Sequence, residues 1–268
     1  TLFDFKTMNE KNIYTDLLRV FVKEGHNVVV ISPTERRHGD ETRLVQEGNA
    51  QILKLKIGNI QKTNIIEKGI STVLLEPQMK AAIKKYFRDT KFDMVMYSTP
   101  PITFANVIKF VKKRDGAKTY LLLKDIFPQN AVDLGMFSKK SPIYKMFRNK
   151  EKSLYKLSDF IGCMTQANVD FVLNNNPYIN SEKVHISPNS VEFLDKHIDI
   201  ESKEKIREKY GVPTDKKVFI YGGNLGRPQD IPFIIECLKA NKNKDDRFFI
   251  ICGAGTEYST LKTYVETE

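Results

Sequence analysis

Short apolar runs alternate with stretches of helical spacing along most of this chain. Compact runs at residues 28–31, 52–55, 94–97, 119–123, 160–163, 184–186, 218–221 and 248–252 are bounded by Gly, Pro or polar clusters and read as buried strands. Between them, Ile13, Leu17, Leu18, Phe21 and Val22 recur at helical spacing until Gly25 stops them. Further helices are predicted over 77–88 starting at Pro77, over 101–113 with Pro101 in the first helical position, over 166–173 and over 201–209. Thr1 and Leu2 read as the tail of an earlier strand, and residues 34–49 as a polar connection. Residues 56–72 mix Gly58, Gly69, Ile65, Ile66 and lysines without a clean period, and read as a long functional loop or a mobile helix. Strand, helix, strand in repetition predicts an α/β fold built on parallel sheet.

The alternation lapses from 187 to 215, which places a boundary between a domain at 1–195 and a second at 196–268. The second holds two strands, fewer than the roughly four to six of a usual sheet, so it is expected to be incomplete. Its most informative stretch is V-F-I-Y-G-G-N-L-G-R-P-Q, 218–229, with a second copy of the theme, F-F-I-I-C-G-A-G, at 248–255. A strand breaking in glycine before a helix brings main-chain N–H groups and a positive helix end to one point, where a phosphate is held. The spacing differs from G-x-G-x-x-G and no Walker lysine follows. The plainer reading of Gly222, Gly223 and Gly226 is a tight turn with close packing, and Asp230 is a predicted N-cap under either reading.

Composition narrows this picture. The chain has 268 residues, 41% of them apolar, and no apolar run near the roughly 20 residues of a membrane span. Cys163, Cys237 and Cys252 sit in or beside apolar runs, the four histidines are scattered, and no metal-ligand spacing occurs. The formal charge of +10 points to an anionic partner, with a lysine-rich proteome as the bland alternative. Residues 138–157 carry seven Lys or Arg against one Glu among Ile143, Tyr144, Met146, Phe147, Leu154, Tyr155 and Leu157. Such a basic amphipathic helix either lies on an anionic membrane or packs its apolar side on the sheet with its lysines in water. No stacking-aromatic signature accompanies the basic residues, which argues against nucleic acid. Asp125 follows a central strand at its carboxyl end, where open α/β sheets place site residues; a turn residue before Pro128 is the alternative.

Six pieces taken in order resemble family 4 glycosyltransferases of the GT-B architecture, of the type that builds bacterial capsule and O-antigen polysaccharide. They are D-L-L-R-V-F-V-K-E-G-H-N-V-V-V-I-S-P at 16–33, S-T-P-P at 98–101, K-D-I-F-P-Q-N-A-V-D-L-G at 124–135, I-S-P-N-S-V-E at 186–192, Y-G-G-N-L-G-R-P-Q at 221–229 and I-C-G-A-G at 251–255. The resemblance implies two Rossmann-like domains, an N-terminal acceptor side and a C-terminal nucleotide-sugar side. It implies retaining transfer of a sugar from a nucleotide diphosphate, commonly UDP, to a polyprenyl-diphosphate-linked saccharide, without metal or other cofactor. It also implies a cytoplasmic protein, peripheral at the inner face of the inner membrane. On that reading Asp125 lies near the acceptor hydroxyl as positioner or base, and Asn12 near the diphosphate. Gly223, Asn224, Gly226 and Arg227 meet the donor phosphates, and Gly253 and Gly255 line the nucleotide pocket.

Two departures from the family pattern matter. The places of its phosphate-gripping arginine and lysine are held here by Asn224 and Asp230, which moves the role to Arg227 and the loop N–H groups. Its paired glutamates, expected beyond the glycine loops, are not within these residues, so this stretch alone is expected to turn over little. A GT-B sugar-nucleotide epimerase and a non-enzymatic basic binding module remain as alternatives, separated by product analysis and by salt-titrated binding to vesicles and DNA.

Overall fold

The computed structural model describes residues 5–60, 63–99, 101–193 and 199–267, and divides into two compact units, Thr1–Phe193 and Leu194–Glu268. The strand tail expected at Thr1 and Leu2 lies outside the described residues. In the first unit, α1 (Ile13–Lys23) starts at a capping box. The Asn12 side chain accepts from the N–H groups of Tyr14 and Thr15, and the Thr15 hydroxyl accepts in return from Asn12 N–H. Leu18, Phe21 and Val22 pack on Phe5, Met8, Val28, Ala50 and Ile52, which holds α1 against the first sheet.

That sheet has the order β1-β3-β2. Strand β1 (Val28–Glu35) does not stop at Pro33, as the sequence predicts, but continues through it. In the described sheet β1 pairs only with β3, so a residue without N–H is accommodated there. Strands β2 (Arg43–Glu47) and β3 (Ala50–Ile57) form an antiparallel hairpin turning at Gly48, φ 57°, and Asn49. Residues expected to be a polar connection therefore supply a strand.

Helix α2 (Ile65–Tyr86) corrects two further expectations. It begins at an Asn64 cap bonded to Glu67 N–H, within the stretch that shows no period, and Pro77 lies inside it rather than at its start. Proline removes one helical hydrogen bond, to the carbonyl four residues back, while the core residues Leu75, Met79, Ala82 and Ile83 hold both halves to the sheet. Burying a Leu, Met or Ile side chain of this kind stabilises by about 1.5–3 kcal/mol.

The second sheet is parallel throughout, in the order β4-β5-β6-β7: Met94–Thr99, Lys118–Leu123, Phe160–Cys163 and Val184–Ile186. Around it lie α3 (Ala105–Asp115), α4 (Gln129–Asp133), α5 (Pro142–Leu157) and α6 (Gln166–Asn175). The core joins Leu121, Leu123 and Ile161 of the strands to Ile108 and Val111 of α3, Leu154 and Tyr155 of α5 and Val172 of α6. Helix α3 starts at Ala105, not at Pro101. It has no side-chain cap of its own, and Glu76 of α2 accepts instead from the N–H groups of Asn106 and Val107, the latter at 2.9 Å. Helix α5 is the basic amphipathic stretch, and it buries its apolar side as the plainer reading requires while Ile143 and Met146 stay exposed among its lysines.

The second unit contains α7 (Ile200–Lys209), β8 (Lys217–Asn224), α8 (Ile231–Asn241), β9 (Arg247–Ala254) and α9 (Tyr258–Thr267). The two strands pair in parallel across α8, and Leu225, Ile231 and Leu261 form their buried core.

Candidate functional site

At the carboxyl edge of the second sheet, Asp125 sits two residues past β5, exposed, and its carboxylate has no partner among the described residues. Its main chain is fixed by the buried Thr99 at the end of β4, whose hydroxyl donates to the Asp125 carbonyl at 3.2 Å. Beside it Lys124 is half-buried without an acid partner among the described residues, and burial lowers its pKa. In the loop leaving β4 and in α4, the shielded Thr103 Oγ1 and Asn130 Oδ1 have no hydrogen-bond partner among the described residues. A shielded polar atom without a partner calls for water or ligand. Among the described residues the edge therefore carries a free carboxylate, a free ammonium, a partnerless hydroxyl and a partnerless amide oxygen.

Asn12 is tied to this edge through its helix. Tyr14 of α1 donates to Ser98 Oγ of β4 at 3.2 Å. Because Asn12 Oδ1 is committed to the α1 amides, the side-chain NH₂ is left as a donor without an acceptor among the described residues. That polarity suits a phosphate oxygen.

Sequence reasoning missed the clasp that holds the first loop. Arg19 donates to the Met8 and Glu10 carbonyls at 2.6 and 2.8 Å and pairs with both Asp16 and Glu192, the latter at 2.8 Å. Lys11 also pairs with Glu192, and Glu192 N–H donates to Asp16 Oδ2 at 2.8 Å. The Glu192 N–H, joined by Arg19, draws the Asp16 carboxyl below its ordinary value, with burial working against them; Lys11 and then Arg19 lower that of Glu192. Asp16 and Arg19 belong to the quoted piece at 16–33 and Glu192 to that at 186–192; Asp16 and Glu192 are separated by 176 positions, and only the fold shows that they meet.

The second unit presents a different edge. Gly222, Gly223 and Asn224 are the last residues of β8, not a turn, and pair with Cys252, Gly253 and Ala254. All six are exposed, so the carboxyl end of the ladder is nearly bare main chain. The turn that follows is closed: Leu225 and Gly226 are buried, and Asn224 Nδ2 donates to Gln229 Oε1 at 2.9 Å across it. The amides of Leu225, Gln229 and Asp230 bond to the carbonyls of Ala254, Gly226 and Arg227, while those of Gly226 and Arg227 have no acceptor among the described residues. The Arg227 side chain is exposed and free of ion pairs among the described residues.

Gly253 and Gly255 are glycine for a reason of packing. A Cβ on Gly253 would lie 2.0 Å from the Gly223 carbonyl oxygen, and one on Gly255 2.2 Å from that of Leu225. They admit the neighbouring strand end and so shape the edge from behind. Asp230 is a correction: it precedes α8 in a left-handed conformation, φ 48°, and makes no side-chain cap bond. A 3-10 turn over Arg227–Gln229 separates the glycines from α8, and Pro232 removes an N–H from that helix's first turn, so the unpaired amides of Gly226 and Arg227 lie ahead of the helix and not in it.

Among the described residues no group of three or more His, Cys, Asp or Glu is placed to hold a metal ion, and no helix is long and apolar enough to cross a membrane.

No family model matches the chain. A curated Pseudomonas aeruginosa protein, the probable glycosyltransferase WbjE, is 25% identical over 224 residues, which covers 78% of this chain and 51% of that one. Among solved structures, one of the E. coli trehalose-6-phosphate system bound with UDP-2-fluoro glucose matches with a TM-score of 0.67 at 9% identity, over 96% of this chain and 66% of that one. A sucrose-phosphate synthase from Thermosynechococcus elongatus matches with a TM-score of 0.53 at 10% identity, over 89% of this chain and 65% of that one. The chain thus spans about half the length of the curated relative and about two-thirds of the solved chains. At such identities the structural likeness is one of fold. The chain has the α/β fold of the GT-B glycosyltransferases and is similar in sequence to a probable glycosyltransferase.

Proposed function

We propose that the protein is a retaining glycosyltransferase that moves a sugar from a nucleoside diphosphate, UDP by preference, to a polyprenyl-diphosphate-linked saccharide in cell-surface polysaccharide synthesis. The observation that carries this reading is the exposed strand end Gly222–Gly223–Asn224, with the unpaired amides of Gly226 and Arg227 and the free Arg227 guanidinium behind it. A diphosphate held by the Gly226 and Arg227 amides and the Arg227 guanidinium displaces no protein hydrogen bond, since those groups are unpaired among the described residues. Stabilising the leaving diphosphate by main-chain N–H groups and a cation is the electrostatic assistance that this reaction needs. On this reading the second unit takes the donor and the first the acceptor. Asp125 orients the acceptor hydroxyl, the Asn12 amide donates to a phosphate, and Gly253 and Gly255 let the nucleotide-binding edge form. The protein works in the cytoplasm, peripheral to the inner membrane, where a lipid-linked acceptor is found.

The test is a thermal-shift series with UDP, GDP, ADP and uridine, followed by product analysis with labelled sugar nucleotide and a lipid extract. A nucleoside diphosphate at about 100 times its dissociation constant adds about 2.7 kcal/mol to stability. Sugar recovered in the lipid fraction supports transfer; an isomerised free sugar with no lipid product overturns it.

A further inference from the structure

Helix α2 is apolar on two sides. Leu75, Met79, Ala82 and Ile83 are packed into the core, while Ile66, Ile70, Val73 and Leu74 are 76%, 57%, 73% and 46% exposed. A run of exposed apolar residues on a second side of a helix calls for a second apolar partner. Positions 66, 70, 73, 77, 80 and 84 recur at steps of three and four and therefore fall on one stripe. That stripe reads Ile, Ile, Val, Pro, Lys, Lys: apolar in its first half and basic in its second.

Helix α3 extends the basic half. Lys109 and Lys113 are exposed on it, and the Phe110 ring is the common seat of Lys80, Lys84 and Arg114, at 5.1, 5.5 and 5.7 Å from its centre. The acids nearby are already engaged, Glu76 by the first amides of α3 and Asp115 by Arg114. An apolar strip running into a cluster of cations whose two neighbouring acids, Glu76 and Asp115, are engaged within the protein matches the layering of an anionic bilayer, acyl boundary beside phosphate headgroups. A second copy of this chain fits less well, because a two-fold contact through this face sets lysine against lysine while Glu76 and Asp115 are already engaged.

We propose that the α2–α3 face docks on an anionic membrane, with Ile66, Ile70 and Val73 entering the headgroup boundary and Lys80, Lys84, Lys109 and Lys113 meeting lipid phosphates. This surface is separate from the basic helix α5. It deepens the reading of a lipid-linked acceptor and rests on it for its purpose, but docking is measured without donor, acceptor or turnover.

The experiment is flotation of the whole chain with phosphatidylcholine vesicles containing about one-third phosphatidylglycerol, compared with phosphatidylcholine alone. Binding to the anionic vesicles is expected, weakened roughly fivefold per lysine in Lys80→Gln and Lys84→Gln and roughly tenfold in the pair Ile70→Ser and Val73→Ser. Lys145→Gln with Lys150→Gln on α5 is expected to bind as the wild type does. Ile70, Val73, Lys84, Lys145 and Lys150 are exposed and Lys80 is half-buried with its ammonium over the Phe110 ring, so near-unchanged thermal midpoints are expected and separate docking from folding. The proposal is overturned by absence of vesicle binding, by loss of binding in the α5 variant alone, or by α2 variants that abolish self-association instead of vesicle binding. Any of these leaves nucleotide binding in the same preparations intact if only the docking surface is wrong.

Discussion

The carboxyl edges of the two units are built from opposite materials. In the first unit, side chains make the edge, and the clasp of Asp16, Arg19, Lys11 and Glu192 fixes the loop that leads to Asn12. In the second, glycines strip the edge to its main chain, and the free charged side chains among the described residues of that turn are Arg227 and Asp230. The contrast follows from what each would hold. Main-chain amides grip a diphosphate whatever base or sugar it carries, whereas a particular acceptor hydroxyl must be chosen by side chains.

The largest effect expected from breaking this contrast is at Gly255. Its alanine places a methyl carbon against the Leu225 carbonyl, backbone against backbone, and is expected to cost about 3 kcal/mol or more and to melt the second unit first. Denaturation followed separately in the two units checks it. Next comes Asp125→Asn, for which a transfer rate about a hundredfold lower is expected with an unmoved thermal midpoint. An unchanged rate removes Asp125 from the mechanism. Arg227→Ala is expected to weaken nucleoside diphosphate binding about tenfold by calorimetry while leaving the ligand-free protein as stable as before.

Acid is expected to undo the clasp of the first unit. The Asp16 and Glu192 carboxyls are lowered in the folded state, so their contribution is complete above the unfolded carboxylate range and disappears as pH falls through their lowered values. Wild type should therefore lose stability on acidification faster than Asp16→Asn, and the gap between them should close at low pH. The smallest effect is at Gly222, where an added Cβ meets nothing within 4 Å, so Gly222→Ala should change stability by no more than about 0.5 kcal/mol. Set beside Gly255→Ala, it separates glycines needed for packing from glycines left bare.

Much of this framework could be read from periodicity. Helices α1 and α5 have one apolar face each, which is what a period records, while the strands β4 to β7 stood out as compact apolar runs. Helix α2 escaped because its apolar residues lie on both sides, which erases the 3.6-residue signal, and because Pro77 is tolerated inside it. The β2–β3 hairpin did leave a signal, Gly48–Asn49 between Val45 and Ile52, but the flanking polar residues masked it. The glycine stretch was legible as a phosphate site only in outline: that Gly222 and Gly223 belong to the strand, and that Asp230 fails to cap, depends on pairing with β9. The clasp had no local signature, because Asp16 and Glu192 meet across the whole first unit.

The central claim, that the donor diphosphate is held by the bare main chain at the end of β8, is tested most directly by amide NMR shifts during titration with UDP and with uridine. The account expects the Gly222, Gly223, Gly226 and Arg227 amides to move with UDP and to stay nearly still with uridine. Shifts of equal size for the two ligands, or UDP shifts confined to residues away from this edge, would contradict it.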